Sequence, residues 1–276
     1  MSFTSIRFSL LMAGLFFVAS LAGAQEITTS DGKVYSSTSI RRVGSGIMIK
    51  VSIDNGGMVE MGLPISRITR ISFPEPLELN RALAAGEEGN ANDVLTATDD
   101  YVAKQGDFKE VPGSWWPQMA KLRLMALVAT EKDADAAALA RQIGAENAPD
   151  ANTLSRGGTL FASLVSGDTE AVLLGAKGLP KASGGDGTAL AQIALGRAML
   201  QKKDFVQALK AFLTVKVFFP SLTLLQPEAL YGAASAYVGL NDPKRALQSL
   251  QEIETKFPHS SQVPKAKKLK EDISKS

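Results

Sequence analysis

Residues 191–220, AQIALGRAMLQKKDFVQALKAFLTVKVFFP, decide the reading of this chain, because residues 229–258, ALYGAASAYVGLNDPKRALQSLQEIETKFP, restate their plan 38 positions later. The shift aligns Ala191 with Ala229, Ala198 with Ala236, Asp204 with Asp242, Ala208-Leu209 with Ala246-Leu247, and Phe219-Pro220 with Phe257-Pro258. Seven identities at one offset mark an internal repeat. The apolar residues recur at helical spacing. Two antiparallel helices pack closely only where small residues let the backbones approach, and each copy places such residues at matched intervals. Gly196 precedes Ala208 by 12 positions and Ala234 precedes Ala246 by 12; Pro220 and Pro258 follow 12 positions later again.

Leu195-Gly196, Met199, Ala208, Phe212 and Pro220 in the first copy, and Ala233-Ala234, Tyr237, Ala246, Leu250 and Pro258 in the second, resemble the tetratricopeptide repeat (TPR) pattern of Leu-Gly, Tyr, Ala, Phe and Pro. Gln192 and Leu230 stand where that pattern has Trp, and the offset exceeds the usual 34 residues of the family by four, near Ser221 to Gln226. Phe257-Pro258-His259-Ser260-Ser261 resembles the joints between TPR units of bacterial envelope proteins. Those include the periplasmic coordinator of cell division and the β-barrel assembly lipoproteins. The chain lacks the lipid-bearing Cys of the latter, and a β module replaces the coiled coil of the former. The alternative is a generic Ala-rich array of helical hairpins.

Working outward, residues 263–273 read as a single helix that caps the array with a charged outer surface. Upstream, helical spacing covers Leu77–Ala85 with Ala91–Ala103, Trp115–Thr130 with Asp133–Ile143, and Leu154–Val165 with Thr169–Lys177. These make about five hairpins and a cap, with a hinge expected at residues 181–187 between a degenerate half and a regular half.

Before Pro74-Glu75-Pro76 the texture is that of strands. Ile47, Ile49, Val51 and Ile53 alternate with Met48, Lys50, Ser52 and Asp54, and Asn55-Gly56-Gly57 leads into Val59, Met61, Leu63 and Ile65, a hairpin signal. Asp31-Gly32 and Gly44-Ser45-Gly46 supply further turns. Four or five short strands predict a small β-barrel or curled antiparallel sheet, loosely similar to SH3-like or Sm-like barrels. The expected fold class is therefore mainly α, an α-α hairpin solenoid preceded by that β module. The expected domains are a leader at 1–24, the β domain at 25–76, a degenerate helical region at 77–187, and two TPR units with a capping helix at 188–276.

Arg7, the apolar run from Phe8 to Gly23 and the closing Ala22-Gly23-Ala24 read as a cleaved secretory signal, with cleavage before Gln25; the competing reading is an uncleaved anchor. The expected location is periplasmic or secreted, with no membrane span after signal removal. The 30 basic residues, one of them Arg7 of the leader, face 28 acidic ones, a balance without the broad field that attracts nucleic acid. Lys265, Lys267, Lys268, Lys270 and Lys275 make the last stretch locally basic, read as a solvated helix face before a lipid or nucleic-acid patch.

With no Cys and a single His, His259 in an inter-repeat turn, the sequence gives no Cys–His nucleophile and no His-rich zinc site, and no catalytic, metal or cofactor residue is expected. Gly157-Gly158 and residues 183–187 lack the setting of a phosphate loop. Trp115-Trp116 reads as a core plug before a sugar or peptide platform. The TPR resemblance implies a peptide groove on the inner helix face, formed by Ile193, Arg197 and Gln201, Tyr231 and Ser235, and Gln262 and Lys265. Arg197 and Lys265 would serve as cationic donors to an acidic group and Tyr231 as a flat anchor. The function so implied is a non-catalytic scaffold for a protein or peptide partner in the cell envelope. The alternatives are a structural, self-associating or peptidoglycan-associated protein and, behind it, a carboxylate-dependent enzyme.

Overall fold

The computed structural model describes residues 25–53, 56–144, 149–179 and 185–275; the expected leader, Asn55 of the β turn and most of the expected hinge lie outside these residues. The chain divides into two compact units, one ending at Pro74 and one starting at Glu75.

The first unit has six strands: β1 (Gln25–Thr29), β2 (Val34–Ser37), β3 (Ile40–Val43), β4 (Gly46–Ser52), β5 (Met58–Pro64) and β6 (Ile68–Ile71). They form two three-stranded antiparallel sheets, ordered β2-β1-β6 and β3-β4-β5. Ser37 turns the corner between them. Its buried hydroxyl donates to the Ser39 carbonyl at 2.8 Å and accepts from the Lys50 amide at 3.1 Å. Ile27, Ile47, Ile49, Leu63, Ile68 and Ile71 make the buried core. The alternation that predicts the β4–β5 hairpin holds in its middle, whereas its end opens to solvent: Ile53 and Val59 are each 44% exposed.

The second unit is helical, with eleven helices among the described residues: α1 (Leu77–Glu87), α2 (Ala91–Lys104), α3 (Trp116–Ala129), α4 (Asp133–Ile143), α5 (Pro149–Val165), α6 (Thr169–Lys177), α7 (Gly185–Gln201), α8 (Phe205–Phe218), α9 (Gln226–Gly239), α10 (Pro243–Lys256) and α11 (Val263–Lys275). No described helix is long and apolar enough to cross a membrane. The molecule is thus mainly helical with a small antiparallel sheet region at its start.

The first ten helices form five hairpins that share one turn. Gly89, Glu131, Gly167, Lys203 and Asn241 each take a positive φ just past the first helix of their hairpin. The residue after each bonds back to the helix it leaves, as in Asn90 N to Ala85 O at 2.8 Å and Asp242 N to Tyr237 O at 2.9 Å, closing a Schellman turn. In four of the five the same residue caps the next helix. The side chains of Asn90, Asp168, Asp204 and Asp242 accept from amides three residues on, and only Lys132 lacks such a bond.

Within and between hairpins, glycines bring helices together. Phe212 of α8 is fully buried between Gly196 of α7 and Gly232 of α9; a Cβ on these glycines would fall 2.6 and 2.3 Å from its ring. Gly157 of α5 meets Gly187 of α7 so closely that a Cβ on Gly157 would fall 2.0 Å from the Gly187 carbonyl oxygen. Residues 185–187 of the expected hinge are therefore the first turn of α7, locked against α5. Trp116 is fully buried and donates from Nε1 to Val102 O at 3.0 Å, which makes it a core plug.

The hairpin array also curls back on itself. Thr223 Oγ1 donates to Gly86 O at 2.6 Å, and Ser261 Oγ to Ala129 O at 2.9 Å. Chain segments more than 130 residues apart thus touch on the inner side.

Candidate functional site

The inner side is built around Arg197. From Ala189 to Leu200, α7 is apolar apart from Gln192 and this one charge, and a guanidinium in such a run folds only with partners. Arg197 has four. Nε donates to Glu228 of α9 at 2.8 Å and Nη1 to Asp133 at the start of α4 at 2.7 Å; Nη2 donates to Val128 O at the end of α3 at 2.8 Å. The guanidinium also lies 5.5 Å from the ring centre of Phe161 on α5. Side chains or backbone from α3, α4, α5 and α9 thus converge on one side chain of α7.

Glu228 is buried and receives a second bond from Gln262 Nε2, so both its oxygens are engaged. Gln262 itself, 2% exposed, also reaches Ala129 O at 3.3 Å. Lys265 of α11 pairs with Glu131, and its ammonium lies 5.9 Å from the ring centre of Tyr231.

Burial presses the Arg197 pKa down, but Glu228 first and Asp133 next outweigh it, and the group is held above its ordinary value. Glu228 is pushed above the usual carboxylate range by burial, offset in part by Arg197, and Asp133 is raised for the same reason. One guanidinium shared between two carboxylates does not fully offset their desolvation. Glu131 goes the other way: burial raises it, yet the hydrogen bond and charge of Lys265 bring it below its ordinary value.

Beside this network lies a cleft of about 440 Å³. Phe212, Leu164, Leu200 and Gly232 give it an apolar surface, and Glu131, Asp133, Glu228, Arg197 and Tyr231 a polar one; exposed Val165 and Gln201 stand at its rim.

The seven residues expected on a groove fare differently. Arg197, Gln201 and Tyr231 line the cleft. Ile193 is wholly buried in the helical core and presents nothing to a ligand. Ser235 bonds to Tyr231 O at 3.1 Å, and Gln262 and Lys265 hold α11 against the α3–α4 turn. The expectation that Arg197 and Lys265 offer themselves to an acidic peptide meets cations that are already paired. The reason is the inward curl, which brings Glu131 and Asp133 onto them from another hairpin.

Those two carboxylates, with Glu228, are what sequence reasoning missed. The available signal was the lone charge in an apolar helix, which demands buried acids somewhere. Elsewhere in the helical unit, Asp99 pairs with Arg123 at 2.6 Å and Asp100 with Lys104, while His259 is exposed in the connection from α10 to α11. Among the described residues, no group of three His, Asp or Glu side chains is arranged to hold a metal ion. The chain matches no protein-family model, no curated protein and no solved structure.

Proposed function

We propose that this chain is a non-catalytic, exported helical-repeat scaffold of the TPR kind that mediates protein–protein interactions in the bacterial cell envelope. The observation that carries the reading is the single turn geometry shared by five consecutive hairpins. A chain built by stacking one supersecondary unit makes an extended surface rather than a reaction centre. The use of the inner carboxylates also favours it, since Arg197 and Lys265 tie Asp133, Glu228 and Glu131 into the packing. The exported address rests on the leader motif at residues 7–24.

The test is photo-cross-linking from single positions on the helical unit: Gln201 at the cleft rim, and Val206 and Phe218, exposed on α8. One discrete partner polypeptide is expected from at least one position. Cross-links only between copies of the chain would replace the scaffold with a self-associating structural protein. N-terminal sequencing of exported material should begin at Gln25, and a mature chain still carrying Met1 would overturn the cleaved-leader reading.

A further inference from the structure

The cleft has unequal charge. Three carboxylates, Glu131, Asp133 and Glu228, stand against two cations, Arg197 and Lys265, and the surplus is localised. Glu228 is saturated by Arg197 and Gln262. Arg197 bonds Oδ1 of Asp133, and both Lys265 and Gln262 approach Oε1 of Glu131. Oδ2 of Asp133 and Oε2 of Glu131 carry no hydrogen bond among the described residues. A carboxylate offers about four acceptor sites over two oxygens, so both groups retain capacity for a further donor. Both belong to side chains that line the cleft, beside an apolar surface of Leu200 and Val165.

We propose that this cleft receives a lysine side chain from a basic segment of the partner polypeptide. The ammonium sits between Asp133 Oδ2 and Glu131 Oε2, and the methylene stem lies along Leu200 and the exposed Val165. The argument is charge complementarity joined to shape. An anionic ligand would face three carboxylates whose cations are already engaged, and a neutral apolar one would leave the surplus charge uncompensated in a partly desolvated cleft. A lysine matches both halves of the surface, with a flexible apolar stem and a compact head carrying three donors. This inference rests on the scaffold reading and specifies the partner's chemistry at one site.

The test uses the full exported chain, with methyl NMR of Leu164, Val165 and Leu200 as readout. The probes are acetyl-Gly-Lys-Gly-amide and its counterparts with norleucine or Glu in place of Lys. The lysine peptide should shift these methyl signals, and the other two should not. Gln201 is exposed at the rim, so its substitution leaves the packing alone. Gln201→Lys should weaken the lysine peptide roughly fivefold and Gln201→Glu should strengthen it by a similar factor, as one added charge near the head predicts. Silence from the lysine peptide, equal shifts from the norleucine or Glu peptide, or indifference to both Gln201 variants would overturn the proposal. If that happens while Val206 or Phe218 still cross-links a partner, the lysine site fails and the scaffold reading stands. If cross-linking fails as well, both fall.

Discussion

Arg197 on α7 donates to Glu228 on α9 at 2.8 Å while their side chains keep only 12% and 4% of their surface in contact with solvent. A pair this dry does not add stability in proportion to its Coulomb attraction, since desolvation takes most of it back; its effect is felt when one member is lost. Arg197→Met leaves Glu228 and Asp133 without their shared cation and should cost about 3–5 kcal/mol in urea denaturation. Arg197→Met combined with Glu228→Leu should recover part of that loss, because the charge left over then resides on Asp133, which is nearer to solvent. A double variant as unstable as the sum of the two singles would mean that the residues do not act as a pair.

Outside the network, Glu252 gives a cleaner acid titration. It accepts from Lys216 at 2.6 Å and from Lys256 at 2.9 Å. Burial raises its pKa, but the two lysines outweigh that, and the folded value lies below the ordinary 4.5. The stabilisation is therefore complete above pH 4.5 and disappears as pH falls through the folded value. Glu252→Gln should lower stability at pH 7 and change it little at pH 3, narrowing the gap from the parent protein. A gap that stays constant between those pH values would show that Glu252 contributes packing and no charge.

Phe212 fits between two helices only because both lack a side chain there. Gly232→Ala puts a methyl 2.3 Å from the ring and Gly196→Ala one at 2.6 Å, distances that force the ring or a helix to shift. Each should cost about 1–3 kcal/mol by overpacking. Ala208→Trp and Ala246→Trp, at fully buried positions of α8 and α10, should cost a similar amount, on the order of 1–3 kcal/mol. Thermal melts check all four, and an unchanged midpoint would count against the contact concerned.

These variants touch the part of the molecule that periodicity announces. The spacing of apolar and small residues places α4 and α6 at the termini observed, and the 38-residue match marks the two hairpins α7–α8 and α9–α10. Local pattern fixes which helix face turns inward, because that face depends on neighbours three and four positions away. It does not fix how far successive hairpins rotate. That rotation carries Ala129 to Ser261, places Asp133 on Arg197, and turns a presumed open groove into a largely filled interior. Ile193 illustrates the same limit: its position lies on the inner face, and the curl buries it completely. In the first unit the strand pattern predicts a small barrel or curled antiparallel sheet, and the corner at Ser37 that divides it into two three-stranded sheets is bonded through a side-chain hydroxyl, which leaves no mark on the alternation of strands.

The five hairpin turns supply a last prediction through their one irregular member. Lys132 has the backbone of a helix cap, with φ −84° and ψ 60° close to the φ −84° and ψ 76° of Asp204, yet no side-chain oxygen to accept from α4. Lys132→Asn should supply that acceptor and raise stability by about 0.5–2 kcal/mol, the range by which a good cap exceeds a residue without one. Lys132→Asp offers the same oxygen and a charge that suits a helix start, but it sets a further carboxylate between Glu131 and Asp133, where negative charge is already in surplus. The Asn variant should therefore gain more than the Asp variant, and raising the salt concentration should narrow the difference between them. Asp204→Ala is the reverse experiment and should lose about 1 kcal/mol. If Lys132→Asn melts no higher than the parent chain, the α3–α4 turn does not have the geometry its four relatives share.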